Sequence, residues 1–313
     1  MDLFPPISFD RTQRGIIWIA MLRALLIFVS VAAASAQDFS DIRVEKIAAG
    51  QKFTEGPVWS LEGFLLFSDT VTDRIQKFIP GKGVSDFATR SGGANGNAYD
   101  EQGRLYTCEF RDRRVTRMAK NGKIEVLAAR FEGKRLNAPS DIVVRRDGTA
   151  YFTDPAFGNQ LDSKELDFYG VYRITPKGEL DVIARWKTRP HGIALAPNGR
   201  VLYVSDADAR SIRAYDLDKQ GAASNERILV NKMTEVPAGL RTDEKGNLYV
   251  ATKGVSVYSP TGQFLHNIAL AENASNLAFG DADLQSLFVT ARTSVFRIRL
   301  SVKGSLPYAP PVP

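Results

Sequence analysis

The chain has 313 residues, 44% of them hydrophobic and 24% charged, a composition typical of a soluble globular domain that can bury a full core. The formal net charge is +6, and the basic residues are spread along the chain, which argues against a nucleic-acid partner. A single cysteine, Cys108, excludes an internal disulfide, and the presence of only two histidines excludes a multi-histidine zinc site.

Residues 1–36 are predicted to be a leader that is not part of the fold. An apolar run of 11 residues, Ala24 to Ala34, follows Arg23 and is too short for a spanning helix. Residues 34–36 read Ala-Ser-Ala, the small-x-small pattern of a signal-peptidase site. We therefore expect cleavage after Ala36, a periplasmic or secreted product, and no stable membrane span after cleavage.

Two features of the leader leave alternatives open. Met21 is a second candidate for the true start, since Met21-Leu22-Arg23 and the apolar run form a complete signal peptide. The upstream apolar patch at residues 16–19 would instead make the leader an uncleaved anchor.

Beyond the leader, one strand-like phrase occurs six times, at intervals of 40, 45, 52, 46 and 39 residues. The copies lie at residues 66–69, 106–109, 151–154, 203–206, 249–252 and 288–291. A period of this length that is made of strands is typical of propeller blades. The sequence therefore predicts an all-β protein, a six-bladed β-propeller with four-stranded antiparallel blades around a central channel.

A second phrase opens each repeat, followed by a turn such as Asp147-Gly148 or Asn198-Gly199, which supplies the positive φ of a tight hairpin.

The repeats predict a single propeller domain at residues 37–305 and a Pro-rich, frayed tail at residues 306–313. The long stretch at residues 156–168 is the candidate for a loop over one end of the channel.

The opening phrases place equivalent residues at one end of the channel, which we call the mouth. Four phrases carry a glycine at the second position, where a missing Cβ lets a backbone or ligand come close. The residues in register before that position are Glu55, Asn95, Ser140 with Asp141, His191, Ala238, and Ser275 with Asn276. Such a ring predicts a cation or polar-ligand site, and the alternative is a set of polar residues that only hydrate a wet channel.

The motifs resemble the SMP-30/gluconolactonase family over essentially the whole mature chain. The resemblance is carried by Glu55-Gly56-Pro57-Val58-Trp59, Asn137-Ala138-Pro139-Ser140-Asp141, Tyr151-Phe152-Thr153-Asp154-Pro155 and Asn276-Leu277-Ala278-Phe279-Gly280. It implies a six-bladed propeller whose members hydrolyse sugar lactones or related esters with one divalent cation, often calcium, at the mouth.

Position by position, the resemblance implies Glu55 as the metal glutamate, but three other positions depart from the family pattern. Ser140 stands where many members have Asn, His191 replaces an Asn ligand, and Ala238 replaces an Asp that is both ligand and presumed base. Imidazole shifts the preference from calcium toward zinc or manganese. We therefore expect Glu55, His191 and Asp141 to hold the cation, or the site to hold none.

Three hypotheses follow. The first is a lactone or ester hydrolase with a small polar substrate, with His191 and Asp141 in catalysis and substrate held by Asn95, Arg135, Asn137, Ser140 and Asn276. The second is metal-free acid–base chemistry of a lyase or isomerase centred on His191. The third is a non-catalytic propeller that binds a small molecule at its mouth, because a fold does not fix a function. The oligomeric state is left open.

Overall fold

The structure is a computed structural model that describes Phe39 and residues 42–308. The predicted leader at residues 1–36 and residues 309–313 of the predicted tail lie outside the described residues. In the part that is described, no helix has the length and apolar character needed to cross a membrane. Cleavage, export and the start site stay predictions.

The described strands form six sheets of four antiparallel strands each, numbered here as blades in chain order. Blade one contains Thr54–Ser60, Phe64–Asp69, Arg74–Ile79 and Gly83–Thr89. Blade two contains Ala94–Tyr99, Leu105–Glu109, Arg114–Met118 and Ile124–Ala128. Blade three contains Ile142–Val144, Ala150–Asp154, Tyr169–Ile174 and Leu180–Trp186.

The second half of the chain repeats the arrangement. Blade four contains Pro190–Leu195, Val201–Asp206, Ser211–Leu217 and Ala223–Val230. Blade five contains Leu240–Thr242, Leu248–Ala251, Val255–Tyr258 and Phe264–Ile268. Blade six contains Ala274–Gly280, Ser286–Ala291, Ser294–Arg299 and, as its fourth strand, Arg43–Ala49. Outside the blades, Arg130–Phe131 pairs with Lys134–Arg135, and Gly158–Ser163 forms a 3₁₀ helix.

The first strand of each blade lies innermost, because each one contacts the first strands of the neighbouring blades and the six contacts close a ring. The outermost strands have exposed side chains on both faces at many positions, as in Gly83–Thr89. The second strands are buried throughout in blades one, two and three. The predicted six-bladed β-propeller is confirmed, with each opening phrase on or directly before an inner strand.

The ring closes through a pairing that the repeats do not reveal. The first described strand, Arg43–Ala49, pairs antiparallel with the last, Ser294–Arg299, and thereby completes blade six. An element from each end of the chain thus shares one sheet, which leaves no gap between blades six and one.

Aromatic side chains of neighbouring strands fill the spaces within and between blades. Phe152 stacks on Tyr172 with ring centroids 5.1 Å apart, and Trp59 of blade one stacks on Phe288 of blade six at 5.3 Å. Cys108 is fully buried in this core, and burial raises the pKa of its thiol well above the usual value. The cysteine therefore packs as a small apolar residue.

The segment after the last strand crosses the end of the channel opposite the mouth. The backbone N–H of Ser305 donates to the Thr242 carbonyl at 2.9 Å, and the Tyr308 hydroxyl donates to the Trp59 carbonyl at 2.6 Å. Tyr308 is buried and its ring meets Tyr99 edge-on at 6.1 Å. The first residues of the predicted tail are therefore packed against the blades and close this end of the channel.

Tyr308 is expected to contribute measurably to the free energy of unfolding. Tyr308→Phe removes one buried hydrogen bond and should cost about 1 kcal/mol. Tyr308→Ala also leaves a cavity and should cost about 3–5 kcal/mol. Urea unfolding followed by circular dichroism measures both values. An unchanged midpoint for Tyr308→Ala would mean that this segment does not pack in solution.

Candidate functional site

A pocket of about 300 Å³ opens at the mouth of the channel. Four of the predicted site residues, Glu55, Asn95, Ser140 and His191, line it together. The remaining lining residues are Phe53, Thr70, Phe110, Ala138, Phe157 and Gln160. Phe157 and Gln160 belong to the long stretch at residues 156–168, which confirms that this loop reaches the mouth.

Hydroxyl groups of the second strands fix the backbone that carries the mouth residues. Ser68 donates to the Asn95 carbonyl at 2.8 Å, and Thr153 donates to the His191 carbonyl at 2.5 Å. Each bond runs from one blade to the next. The small hydroxyl residue in the repeated strand phrase therefore positions the side chain that the next blade presents to the mouth.

The glycines of the opening phrases allow the inner strands to crowd together. A Cβ added to Gly56 would lie 1.8 Å from the Asn95 carbonyl oxygen, and one added to Gly192 would lie 2.4 Å from the Ala238 carbonyl oxygen. The close approach predicted for this position is thus made by the backbone of the neighbouring blade. It keeps the six inner strands near enough for their side chains to share one pocket.

Glu55 is a buried carboxyl group poised between its two protonation states. Burial raises its pKa to about 7, with a further rise from the negative charge of Asp141. A hydrogen bond from the Gly56 N–H at 3.0 Å, a hydrogen bond from Asn276 and the charge of Arg241 oppose the rise. Near neutral pH, Glu55 can therefore donate a proton, which an ordinary glutamate cannot.

His191 lies half-buried on the wall of the same pocket. Burial lowers its pKa below the usual value, and one ring nitrogen donates a hydrogen bond to the Pro237 carbonyl. Its ring is tilted against Phe157 with centroids 5.1 Å apart. Burial and the charge of Arg189 favour the neutral imidazole, and the charge of Asp141 and the hydrogen bond to Pro237 oppose them. In the neutral ring the second nitrogen is an acceptor.

Asp141 lies deeper in the channel and is engaged by its neighbours. Its Oδ2 accepts from the Ile193 N–H at 3.1 Å and from the Arg241 guanidinium at 3.2 Å. Asp141 is fully buried, and Arg241 was not anticipated from the sequence. The sequence does contain an indication of its role. Arg241 occupies the fourth position of its opening phrase, where the other five phrases carry only Ala or Val.

The other predicted substrate-binding residues lie apart from the pocket lining. The Asn137 amide donates to the carbonyls of Asp154 and Phe168 at 3.1 and 3.0 Å and is buried in the loop before blade three. The Arg135 side chain donates to the Asp112 carbonyl at 3.0 Å in a solvent-exposed position. Asn276 touches the site through Glu55. Substrate contacts by these residues stay predictions.

A family model described as the SMP-30/Gluconolactonase/LRE-like region matches residues 53–293, which is most of the chain. The protein belongs to this family. Within the SMP-30/gluconolactonase family, it is 33% identical to a gluconolactonase of Zymomonas mobilis over 293 aligned residues, covering 83% of this chain and 82% of that protein.

Solved structures agree with this assignment. A gluconolactonase of Xanthomonas campestris is 33% identical and superposes with a TM-score of 0.78, covering 86% of this chain and 92% of that one. The calcium-binding protein regucalcin of Agrobacterium tumefaciens superposes with a TM-score of 0.72 over 84% of this chain and 95% of that one. At 15% identity, this second likeness concerns the fold alone.

The donor set around the mouth does not fit a calcium-type ion. Among the residues that the structure describes, no three His, Cys, Asp or Glu side chains come together as a metal site, so Glu55, Asp141 and His191 are not assembled as the predicted trio. The Asp141 carboxylate is paired with Arg241, so Glu55 is the carboxyl group left in the described pocket lining. Calcium prefers several charged or carbonyl oxygens, and here one carboxyl group and the unpartnered Oδ1 of Asn95 face the pocket.

Ala238→Asp is expected to improve divalent cation binding, because Ala238 occupies the blade-five position in register with Glu55, Asn95 and His191. The added carboxylate should raise the affinity for Ca²⁺ or Mn²⁺ by roughly tenfold or more. Calorimetric titration measures it, with Ala238→Asn as the uncharged control of the same size. Equal affinities for the two variants would show that position 238 does not face the channel axis.

Proposed function

We propose that this protein hydrolyses a small lactone or ester in the mouth pocket. The lactonases among its relatives support the reaction class, and one observation of the site supports the location. A carboxyl group with a raised pKa, Glu55, and a neutral imidazole, His191, line the same small pocket. A proton donor and a proton acceptor that coexist near neutral pH are what acyl transfer to water requires.

In the proposed reaction, the free ring nitrogen of His191 takes a proton from the water that attacks the acyl carbon. The bond between the acyl carbon and the ring oxygen breaks, and neutral Glu55 gives its proton to the departing oxygen. The product is a hydroxy acid. Transfer of the proton from the imidazolium to the Glu55 carboxylate, through water, restores both groups. The hydrogen bond from His191 to the Pro237 carbonyl orients the imidazole for both transfers.

The polar residues beside this pair have positioning roles in the proposal. Asn95 carries a buried Oδ1 without a hydrogen-bond partner in the described structure, so it suits a substrate that brings a donor. Ser140 lines the pocket opposite, and Asn276 holds Glu55. We assign Asp141 to holding Ile193 and Arg241 rather than to proton transfer, because both of its described partners are structural.

The rate should depend on pH as a narrow bell. His191 must be neutral, so kcat/KM falls as the pH drops through its pKa, which lies below 6.5. Glu55 must be protonated, so kcat/KM falls as the pH rises through about 7. His191→Asn should lower the rate by roughly 100- to 10,000-fold and abolish the acid limb. Glu55→Gln should abolish the basic limb, and a basic limb that persists in this variant would overturn the role of Glu55.

Chelation separates this proposal from cation-assisted hydrolysis. Hydrolysis of a panel of lactones and aryl esters by the purified protein is expected to survive prolonged treatment with EDTA. Loss of activity that Ca²⁺, Mn²⁺ or Zn²⁺ restores would instead support a resident divalent cation, with calcium from the family resemblance or zinc and manganese from the His191 imidazole. No turnover of any lactone or ester would favour a lyase, an isomerase or a small-molecule-binding propeller.

A further inference from the structure

The walls of the mouth pocket are aromatic, although its floor is polar. Phe53, Phe110 and Phe157 line it from three different segments, before the inner strand of blade one and after the second strands of blades two and three. Phe53 is 39% exposed, so a large apolar ring faces solvent at the pocket entrance. One exposed and two half-buried aromatic rings around a concave site indicate an apolar ligand surface.

The three phenylalanines are anchored by hydrogen bonds of their backbone or by contacts of their ring. The Phe53 N–H donates to Asp69 at 3.1 Å, and the Phe110 N–H donates to the Gly93 carbonyl at 2.9 Å. The Phe157 ring lies between the Arg189 guanidinium, 4.8 Å from its centroid, and the His191 ring. The backbones of Phe53 and Phe110 and the ring of Phe157 are therefore fixed in the structure, which reduces the freedom that these residues lose on binding a ligand.

Two arginines beside the aromatic walls are paired with acids. Arg189 pairs with Asp208, its Nε lying 3.0 Å from a carboxylate oxygen, and Arg111 pairs with Asp73 at 3.1 Å. Among the described lining residues, the only titratable base is His191. A carboxylate or phosphate on the substrate would therefore meet no lysine or arginine in the described lining of the pocket.

The polar groups left to a ligand are few and lie together on the floor. They are Glu55, Asn95, Ser140 and His191, whereas the Thr70 hydroxyl donates to the Phe53 carbonyl at 3.4 Å. The Gln160 Oε1 accepts from the Phe157 N–H at 3.2 Å, which leaves the Gln160 amide nitrogen as a donor on the loop side of the pocket. Asn137 and Arg135 make hydrogen bonds to the protein outside the lining. These groups can form the hydrogen bonds needed by one ester group and the attacking water. The several hydroxyls of an aldonolactone would instead face phenylalanine rings, and burying hydroxyls without hydrogen-bond partners is unfavourable.

We propose that the substrate is a lactone or ester with an apolar alkyl or aryl substituent, bound with its acyl group on the polar floor and its substituent against Phe53, Phe110 and Phe157. This inference rests on the proposed hydrolase function and narrows its substrate class. It differs from the polar lactone that the family resemblance implies.

Three lactones with the same six-membered ring test the inference: δ-decalactone with a pentyl chain, unsubstituted δ-valerolactone, and polyhydroxylated glucono-δ-lactone. We expect kcat/KM, corrected for spontaneous hydrolysis, to decrease in that order, by roughly tenfold or more between the first and the last. The reverse order would overturn the apolar substrate class and leave the hydrolase function standing. No hydrolysis of any of the three would refute the hydrolase function itself.

A matched pair of variants tests the role of the aromatic wall. Phe53→Ser should lower kcat/KM for δ-decalactone about tenfold and change that for δ-valerolactone less than about twofold. Phe87→Ser is the control, because Phe87 is 37% exposed, close to the 39% of Phe53, and lies on the outer strand of blade one. Equal effects of Phe53→Ser on both lactones, or equal effects of the two variants, would contradict the proposed contact.

Discussion

A single buried carboxylate, that of Asp141, joins three of the six blades at the channel axis. It belongs to blade three by register, accepts the Ile193 N–H of blade four and pairs with Arg241 of blade five. Arg241 in turn donates to the carbonyls of Ile193 and Leu240. Because both charged groups are largely buried, either one without the other would be an uncompensated charge in the interior. The geometry of half the ring depends on this pair.

The same pair determines the chemistry available at the mouth. Asp141 is occupied by Arg241, so Glu55 is the carboxyl group left in the described pocket lining. The opposite charges of Asp141 and Arg241 act on Glu55 in opposite directions, and burial therefore dominates its pKa. At two positions that the family resemblance assigns to cation ligands, this chain has His191 and Ala238. Under the proposed function, such a site is suited to moving protons and poorly suited to a hard cation. The changes are consistent with one another, since a site that loses a carboxylate also loses its attraction for the ion.

The sequence predicted the architecture and the neighbours at the mouth because both follow from a repeating register. Glu55, Asn95, Ser140 and His191 occupy equivalent positions, and equivalent positions in a ring must converge. The hydrogen bonds of Asn137 and Arg135 were not predictable in this way, because their partners, Phe168 and Asp112, lie in other segments. No local sequence pattern determines the direction of a loop side chain. Arg241 was detectable as an exception to the small residues at its position. The aromatic wall was not, because Phe53, Phe110 and Phe157 lie outside the repeated phrases.

The closure of blade six has a consequence for the chain during synthesis. Arg43–Ala49 can pair only when Ser294–Arg299 has emerged, so the strand made first waits for almost the last one. Until then the partial ring has two unpaired edges, and such edges readily recruit strands from other chains. The contact between the termini also spans nearly the whole sequence, which slows folding. A chain truncated before Ser294–Arg299 would therefore keep most of its mass, but blade six could not close the ring. Such a chain would be prone to aggregate.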